Sequence, residues 1–325
     1  MLKYKDELKK IALAILIGFA FFALALSLFT IPQATLLGLI AFLVTLWTNE
    51  ALPLGVVSLI PIILFPSFSI LSTKATAMNY SHPIIYLFLG GFLLAIAVEK
   101  TSLHTYIADK ILGLFPNTPR GMIFSLTLTA GLLSAILSNT TTTLLLISIA
   151  LFITDDIKLK MRFALAIAYG ASVGGIMTPI GTPPNLILFG IMSDKGMEMI
   201  PFFQWIWMVI PLVLGMFVVV SLVLSYKVPN VITHRESKRK TLNKEQKKVF
   251  YVMGGLIVLL LLNAPMKPFW PGLGLSEAGI LLGAGLLMFA PPFKILVWNE
   301  DAQKVPYQIM FLFGAGFSIA KAFGA

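Results

Sequence analysis

The sequence predicts an all-α, polytopic membrane protein with the interrupted helices of a secondary transporter, and three observations predict it. Of 325 residues, 58% are hydrophobic and only 12% charged, with a mean hydropathy of +0.92. Soluble domains carry about 25% charged residues. Apolar runs near the ~20-residue length that crosses a bilayer recur along the chain. Two of these runs are broken by helix-disrupting, oxygen-rich residues, in SAILSNTTTTLLL (134–146) and GGIMTPIGTPPNLILFG (174–190). Lipid cannot satisfy the freed backbone groups, at several kcal/mol each, so broken backbone at membrane depth lines a protein-enclosed cavity. Two such breaks in neighbouring segments suggest a site built from half-helices.

Other classes fit less well. The short alternating segments of a β-barrel do not dominate. There is no cysteine, hence no disulfide, thiol nucleophile or thiolate metal site. No P-loop, HEXXH helix or nucleophile elbow is present, and ionisable residues are sparse at membrane depth, so an enzyme is the least favoured class. The net charge of +10 resides in loops, where it records orientation more simply than affinity for nucleic acid.

Taken in order, Met1 to Thr30 has a lysine-bearing start and an apolar run with Ala23 and Ala25 at A-x-A spacing. This resembles a signal peptide, but the remainder is membranous, and an uncleaved first helix is the simpler reading. Apolar spans follow at 34–49, 51–71 and 82–99, the first span covering 11–31; 101–116 is polar and interfacial. Residues 121–153 are too long for one pass and carry Ser138-Asn139-Thr140 at their midpoint. They are expected to form a re-entrant hairpin, with a single broken pass as the alternative. Residues 161–192 are expected to cross once, discontinuously, because three prolines and a glycine fall within the eight residues Thr178 to Asn185. Further spans are expected at 203–226, 249–263, 276–292 and 306–325.

Charge discriminates between topologies. With the N-terminus inside and the hairpin not crossing, 20 of the 24 Lys and Arg fall inside; Lys74, Lys195, Lys267 and Lys321 fall outside. A crossing at 121–153 would move the Lys158 cluster and the 227–248 loop outside, against the positive-inside bias. The expectation is a multi-pass cell-membrane protein with a cytoplasmic N-terminus.

HPIIYLFLGGFLLAIA (82–97) aligns with PYQIMFLFGAGFSIAKA (306–322) at an offset of 225, with seven identities, among them Phe88/Phe313, Gly91/Gly316 and Phe92/Phe317. The two copies run in opposite directions under the topology above, as in inverted-repeat transporters. The domain reading is therefore an N-terminal helix (1–33), a first repeat (34–226), a basic cytoplasmic loop (227–248) and a partial second repeat (249–325). At the same offset, second copies of the broken segments would begin near residue 346, so the second repeat is expected to be incomplete.

Ser134 and Ser138 share one face of a helix, and Ser138, Asn139 and Thr140 occupy the hairpin tip. Hydroxyl and amide oxygens suit a hard cation such as Na⁺. Helix-end carbonyls add partial negative charge for the same ion, while helix N-termini present N–H groups to an anion. In the GTPPN break, Gly181 permits close backbone approach and the prolines free carbonyls from the helix ladder. A cation beside an anion is the minimal layout for sodium-coupled anion uptake. Serines and threonines that merely bond back to helix carbonyls are the plain alternative, and Thr141 to Thr143 fit it.

The SNT triplet (138–140) followed by GTPPN (181–185), with a second SNT expected later, resembles the divalent anion:sodium symporter family over essentially the whole chain. The resemblance implies a scaffold domain holding a homodimer interface and a mobile domain moving as an elevator. It also implies Na⁺ as coupling ion and dicarboxylates, tricarboxylates or sulfate as substrates. By position it implies Ser134, Ser138 and Asn139 as side-chain ligands of a first sodium site, and Gly181 as its backbone carbonyl ligand. Asn139 and Thr140, with Ser138 beside them, correspond to substrate-carboxylate contacts, and Thr182, Pro183 and Asn185 to the unwound loop that shapes the site. The second SNT, the second TPP-type loop and the last two helices of the family pattern do not occur within these 325 residues. The leading expectation is sodium-coupled transport of C4-dicarboxylates such as succinate, malate or fumarate. A proton-coupled or sulfate/phosphate permease, and a non-transporting membrane fragment, stand as alternatives. Glu50, His82 and His104 are expected to be interfacial or internally satisfied, and Glu99-Lys100 to be an interfacial pair.

Overall fold

A computed structural model describes residues 2–228, 241–265 and 269–324. Arg235, Lys238, Arg239 and Lys240 of the basic loop, and Lys267, lie outside the described residues. Within them, the long regular elements are all helices: α1 (Leu2–Ala25), α2 (Ile31–Asn49), α3 (Leu54–Leu59), α4 (Pro61–Ser67), α5 (Thr73–Asn79), α6 (Pro83–Lys100), α7 (Leu103–Leu112), α8 (Pro119–Ser134), α9 (Asn139–Phe152), α10 (Ile157–Gly174), α11 (Pro183–Asp194), α12 (Phe202–Leu224), α13 (Lys244–Asn263), α14 (Glu277–Leu287), α15 (Trp298–Asp301) and α16 (Tyr307–Ala322). Four stretches among the described residues are long and apolar enough to cross a membrane: Lys5–Ala25, Ile31–Asn49, Thr73–Lys100 and Phe202–Leu224.

Several expected spans are shorter than the apolar runs that announce them. The 51–71 run divides into α3 and α4 at Pro61, which opens α4 at its first position, where a missing N–H costs nothing. Conversely, α13 begins at Lys244, ahead of the apolar run read from 249. Asn243 and Gln246 form a reciprocal capping box there, which starts the helix within charged sequence.

The chain divides into two compact units. The first comprises Met1–Ile85, Gly190–Glu198 and Pro306–Ala325. In it α1 and α2 cross at Gly18 and Gly38; a Cβ on Gly38 would lie 2.9 Å from the Gly18 carbonyl oxygen. Small residues of this kind let helix backbones approach in a membrane. Asn49 Nδ2 ties the end of α2 to the Lys10 carbonyl at 3.0 Å, and Glu50 closes α2 with φ 52°. Ala14, Leu43, Leu46, Val57, Phe65 and Ala322 belong to a common core. Helix α16 packs on α3 and α5. Its Ser318 accepts from Asn79 Nδ2 at 3.1 Å and donates to the Gly314 carbonyl at 2.7 Å, so these two buried side chains are both partnered, as burial requires.

The second unit comprises Tyr86–Phe189 and Met199–Val305. Its centre is α8 and α10, with α12 against both. On α12 the buried residues Trp205, Val209, Val213, Phe217 and Ser221 recur every fourth position. The remaining surface, including Leu212, Val219 and Leu222, is exposed and equally apolar, as expected of a helix whose outer face meets lipid. Helix α14 packs on α6, where the Gly285 Cβ position is 2.9 Å from the Gly90 carbonyl oxygen. Lys100 at the end of α6 reaches Asp301 of α15 at 2.6 Å.

At an offset of 225, α3 corresponds to α14, α5 to α15 (Thr73 to Trp298) and α6 to α16. In the first unit the early α3 and α5 pack on the late α16; in the second, the late α14 and α15 pack on the early α6.

Candidate functional site

The two breaks come together through the way α8 and α10 pack. Gly174 abuts the Gly131 backbone, Gly170 abuts Thr127, and the Thr178 hydroxyl donates to the Ala135 carbonyl. Each pair is 43 residues apart, so α8 and α10 run parallel. Helix α9 must therefore carry the chain back between them, which makes 121–153 a hairpin; a single broken pass would have left α8 and α10 antiparallel. The same register sets the hairpin turn, 135–138, level with the unwound segment, 175–182.

At that level Ser134, fully buried at the end of α8, donates from Oγ to Asn139 Oδ1 at 2.6 Å. Gly175 faces the same oxygen. A Cβ placed on it would lie 2.7 Å from Asn139 Oδ1 and 3.3 Å from Thr182 Cβ. Gly181 folds back against the Gly175 carbonyl, leaving no room for a side chain. Ser134, Asn139, Gly181 and Thr182 thus converge around Gly175. Ser138 lies beside them and caps α9. Its Oγ accepts the Thr141 amide at 3.1 Å and donates to Thr141 Oγ1 at 2.8 Å. Thr140, in the first turn of α9, is exposed. Pro183 opens α11.

Asn185 is buried, and its Nδ2 donates to the carbonyls of Gly175 at 3.1 Å and Thr178 at 2.9 Å. Its amide holds the unwound segment in shape from within. Two further residues join the site that sequence reasoning did not assign. Thr178 links the breaks directly. Trp205, on α12, donates from Nε1 to the Ile176 carbonyl at 2.9 Å and packs its ring on Phe189. The available signal was a tryptophan on the buried stripe of a lipid-crossing helix, where an indole N–H needs a partner. Arg162 of α10 donates to the Leu224 carbonyl at 2.7 Å and the Tyr226 carbonyl at 2.6 Å, closing the far end of α12.

Chemically, the convergent groups are hydroxyl, amide and backbone oxygens, a hard and uncharged donor set. Two of them already sit 2.6 Å apart, and Asn139 Oδ1 packs so closely on Gly175 that a Cβ there would meet it at 2.7 Å. The N-termini of α9 and α11 meet the same region, and each presents amides and a positive dipole end. The remaining candidates lie elsewhere. The His82 ring packs on Phe317 with centroids 4.7 Å apart, and His104 Nδ1 lies 3.3 Å from the Val98 carbonyl. Lys100 takes Asp301 as its close carboxylate, 201 residues away in sequence.

Residues 40–325 match the family described as citrate transporter, CitMHS. The chain belongs to that family. The family is described as one of transporters, in keeping with the resemblance carried by SNT and GTPPN. Among similar proteins, the sodium-dependent dicarboxylate transporter SdcS of Staphylococcus saprophyticus is 28% identical over 345 residues, covering 94% of this chain and 66% of the relative. The protein of the same name from Staphylococcus aureus strain USA300 is 31% identical over 319 residues, covering 88% of this chain and 61% of the relative. The chain thus spans just under two thirds of the length of these relatives.

Proposed function

We propose that this chain carries the first half of a sodium-coupled anion-transport site whose substrates are small dicarboxylates, C4-dicarboxylates first among them. The observation that carries the reading is the meeting of the hairpin turn and the unwound segment at Gly175, with Ser134 and Asn139 supplying adjoining oxygens. The sodium-dependent dicarboxylate transport named for the two staphylococcal relatives supports it.

In this reading Ser134, Ser138, Asn139 and the Gly181 carbonyl hold the cation. Asn139 and Thr140, at the start of α9, meet one carboxylate of the substrate, and Thr182, Pro183 and Asn185 shape its surroundings. A bound sodium ion supplies positive charge beside two helix N-termini, so the anion finds a favourable field without a buried arginine. The protein works as a homodimer in the cell membrane with its N-terminus cytoplasmic. The loaded site passes between the two faces by an elevator-type displacement.

The test is radiolabelled succinate uptake into proteoliposomes, with and without an inward sodium gradient. The chain is compared with a version extended by a second SNT-bearing repeat. Sodium-driven uptake by the extended version supports the reading, and uptake by the chain alone would place a working site in one half. Uptake by neither, with sulfate uptake in the same vesicles, would overturn the dicarboxylate assignment.

A further inference from the structure

We infer that Trp205 is a positioning residue for the cation-binding face of the broken helix, an inference that rests on the sodium-coupled reading above. Trp205 is 6% exposed and touches both sides of the break. Its Nε1–H donates to the Ile176 carbonyl at 2.9 Å, just past the end of α10. Its ring lies against Phe189 of α11, with centroids 5.1 Å apart and planes at 60°.

Ile176 directly follows Gly175, where the two breaks approach most closely. Three successive constraints set the path of the chain here. Asn185 holds the Gly175 and Thr178 carbonyls from within the segment. Trp205 holds the carbonyl of Ile176, between them, from a separate helix. With these peptide planes fixed, the chain returns so that Gly181 closes on Gly175, and Asn139 Oδ1 keeps its place beside the glycine.

The strut that presents Trp205 is independently secured. Helix α12 runs antiparallel to α10, with Phe217 against Gly131 of α8 and its C-terminal carbonyls held by Arg162. Removing the indole N–H therefore leaves α12 in place and slackens the 175–181 segment alone. The effect falls on sodium affinity rather than on folding.

The experiment is a sodium titration of the purified chain in detergent, reading the thermal shift against choline chloride at equal ionic strength. Trp205→Phe keeps an aromatic ring for Phe189 and loses only the donor. Asn185 Nδ2, 3.5 Å from the Ile176 carbonyl, still faces that acceptor, so the variant is expected to melt near the wild-type temperature without sodium and to need roughly three- to tenfold more sodium for half the shift, the size of one lost hydrogen bond. An unchanged half-saturating concentration in a sodium-responsive Trp205→Phe overturns the inference and leaves the sodium reading intact. No sodium-dependent shift in the wild type overturns both. Should Trp205→Phe fail to fold, the chain with Trp47, Trp207, Trp270 and Trp298 replaced by Phe serves instead. Its single tryptophan emission is expected to change with NaCl, and not choline chloride, at the concentration that gives the thermal shift. An emission that sodium does not move overturns the inference.

Discussion

Ser134 Oγ and Asn139 Oδ1 meet at 2.6 Å across the turn that joins α8 to α9. The hairpin is closed at its tip by these two oxygens, and the asparagine oxygen packs against Gly175. Each can turn toward a cation, and the serine proton need only rotate away. Local geometry and the expected ligand set therefore depend on one another, and substitutions here can be told apart by whether they disturb the ion response, the fold or both.

Asn139→Ala removes one of the two oxygens and the acceptor of Ser134. The sodium-dependent thermal shift should vanish, and sodium-driven uptake should be abolished in the extended version carrying the change. A wild-type sodium response in Asn139→Ala would remove this residue from the site.

Gly175→Ala places a methyl 2.7 Å from Asn139 Oδ1, closer than side chains pack, so the asparagine must shift. A loss of about 1–3 kcal/mol is expected from such overpacking, together with loss of the sodium response. Gly283→Ala is the control. Nothing lies within 4 Å of its Cβ position in α14, and helix propensity favours alanine by about 0.5–1 kcal/mol. Melting temperature with and without sodium separates the two.

Asn185→Leu keeps the bulk and removes the donor, leaving the Gly175 carbonyl without the amide that holds it, while the Thr178 carbonyl keeps the Gly181 amide at 3.2 Å. One buried acceptor left unpaired costs roughly 1–3 kcal/mol. The expected signature is a lower melting temperature and faster amide exchange across 175–182. Exchange at wild-type rates would show that the segment holds its shape without Asn185.

Asp301 is a buried, paired carboxylate of the second unit. Burial by itself would raise its carboxyl, but hydrogen bonds from Lys100, the Val297 amide and Lys304 outweigh it and hold the group at about 2, against an ordinary 3.8. The pKa is depressed on folding, so this stabilisation is complete above about pH 4 and is lost as pH falls through about 2. Asp301→Asn should lower stability by about 2–3 kcal/mol at neutral pH, at or below the low end for breaking a buried pair because both lysines are partly exposed. It should also flatten the decline between pH 4 and 2. Thermal unfolding across that range checks both.

What could be read from the chain was local or periodic. The breaks at Ser138 and Thr178–Asn185 announced themselves by proline, glycine and hydroxyl content. The hairpin followed from the cost of placing Lys158 and its neighbours outside, and the parallel packing of α8 on α10 accounts for it structurally. What escaped depended on distant partners. Lys100 was read beside Glu99, its neighbour in sequence, whereas its close carboxylate is Asp301. Trp205 lies on a stripe that says only that it is buried, and nothing nearby points to Ile176. Asn185 was read as a wall of the site, but only the folded segment reveals that its donors hold the site's own carbonyls. The early start of α13 was written in Asn243 and Gln246, under a run of charge that suggested a loop.

The packing of early helices on late ones bears on how the chain is made. Helices α3 and α5 leave the ribosome long before α16, the helix they pack against, and α6 likewise precedes α14 and α15. Neither half can complete its core from its own sequence, so early segments must persist half-packed while the rest of the chain is synthesised. Contacts so distant in sequence slow folding and prolong exposure of unfinished surfaces. A block in synthesis before Tyr307 would leave α3 and α5 without their counterpart, and such products should be the ones most readily taken by membrane quality control.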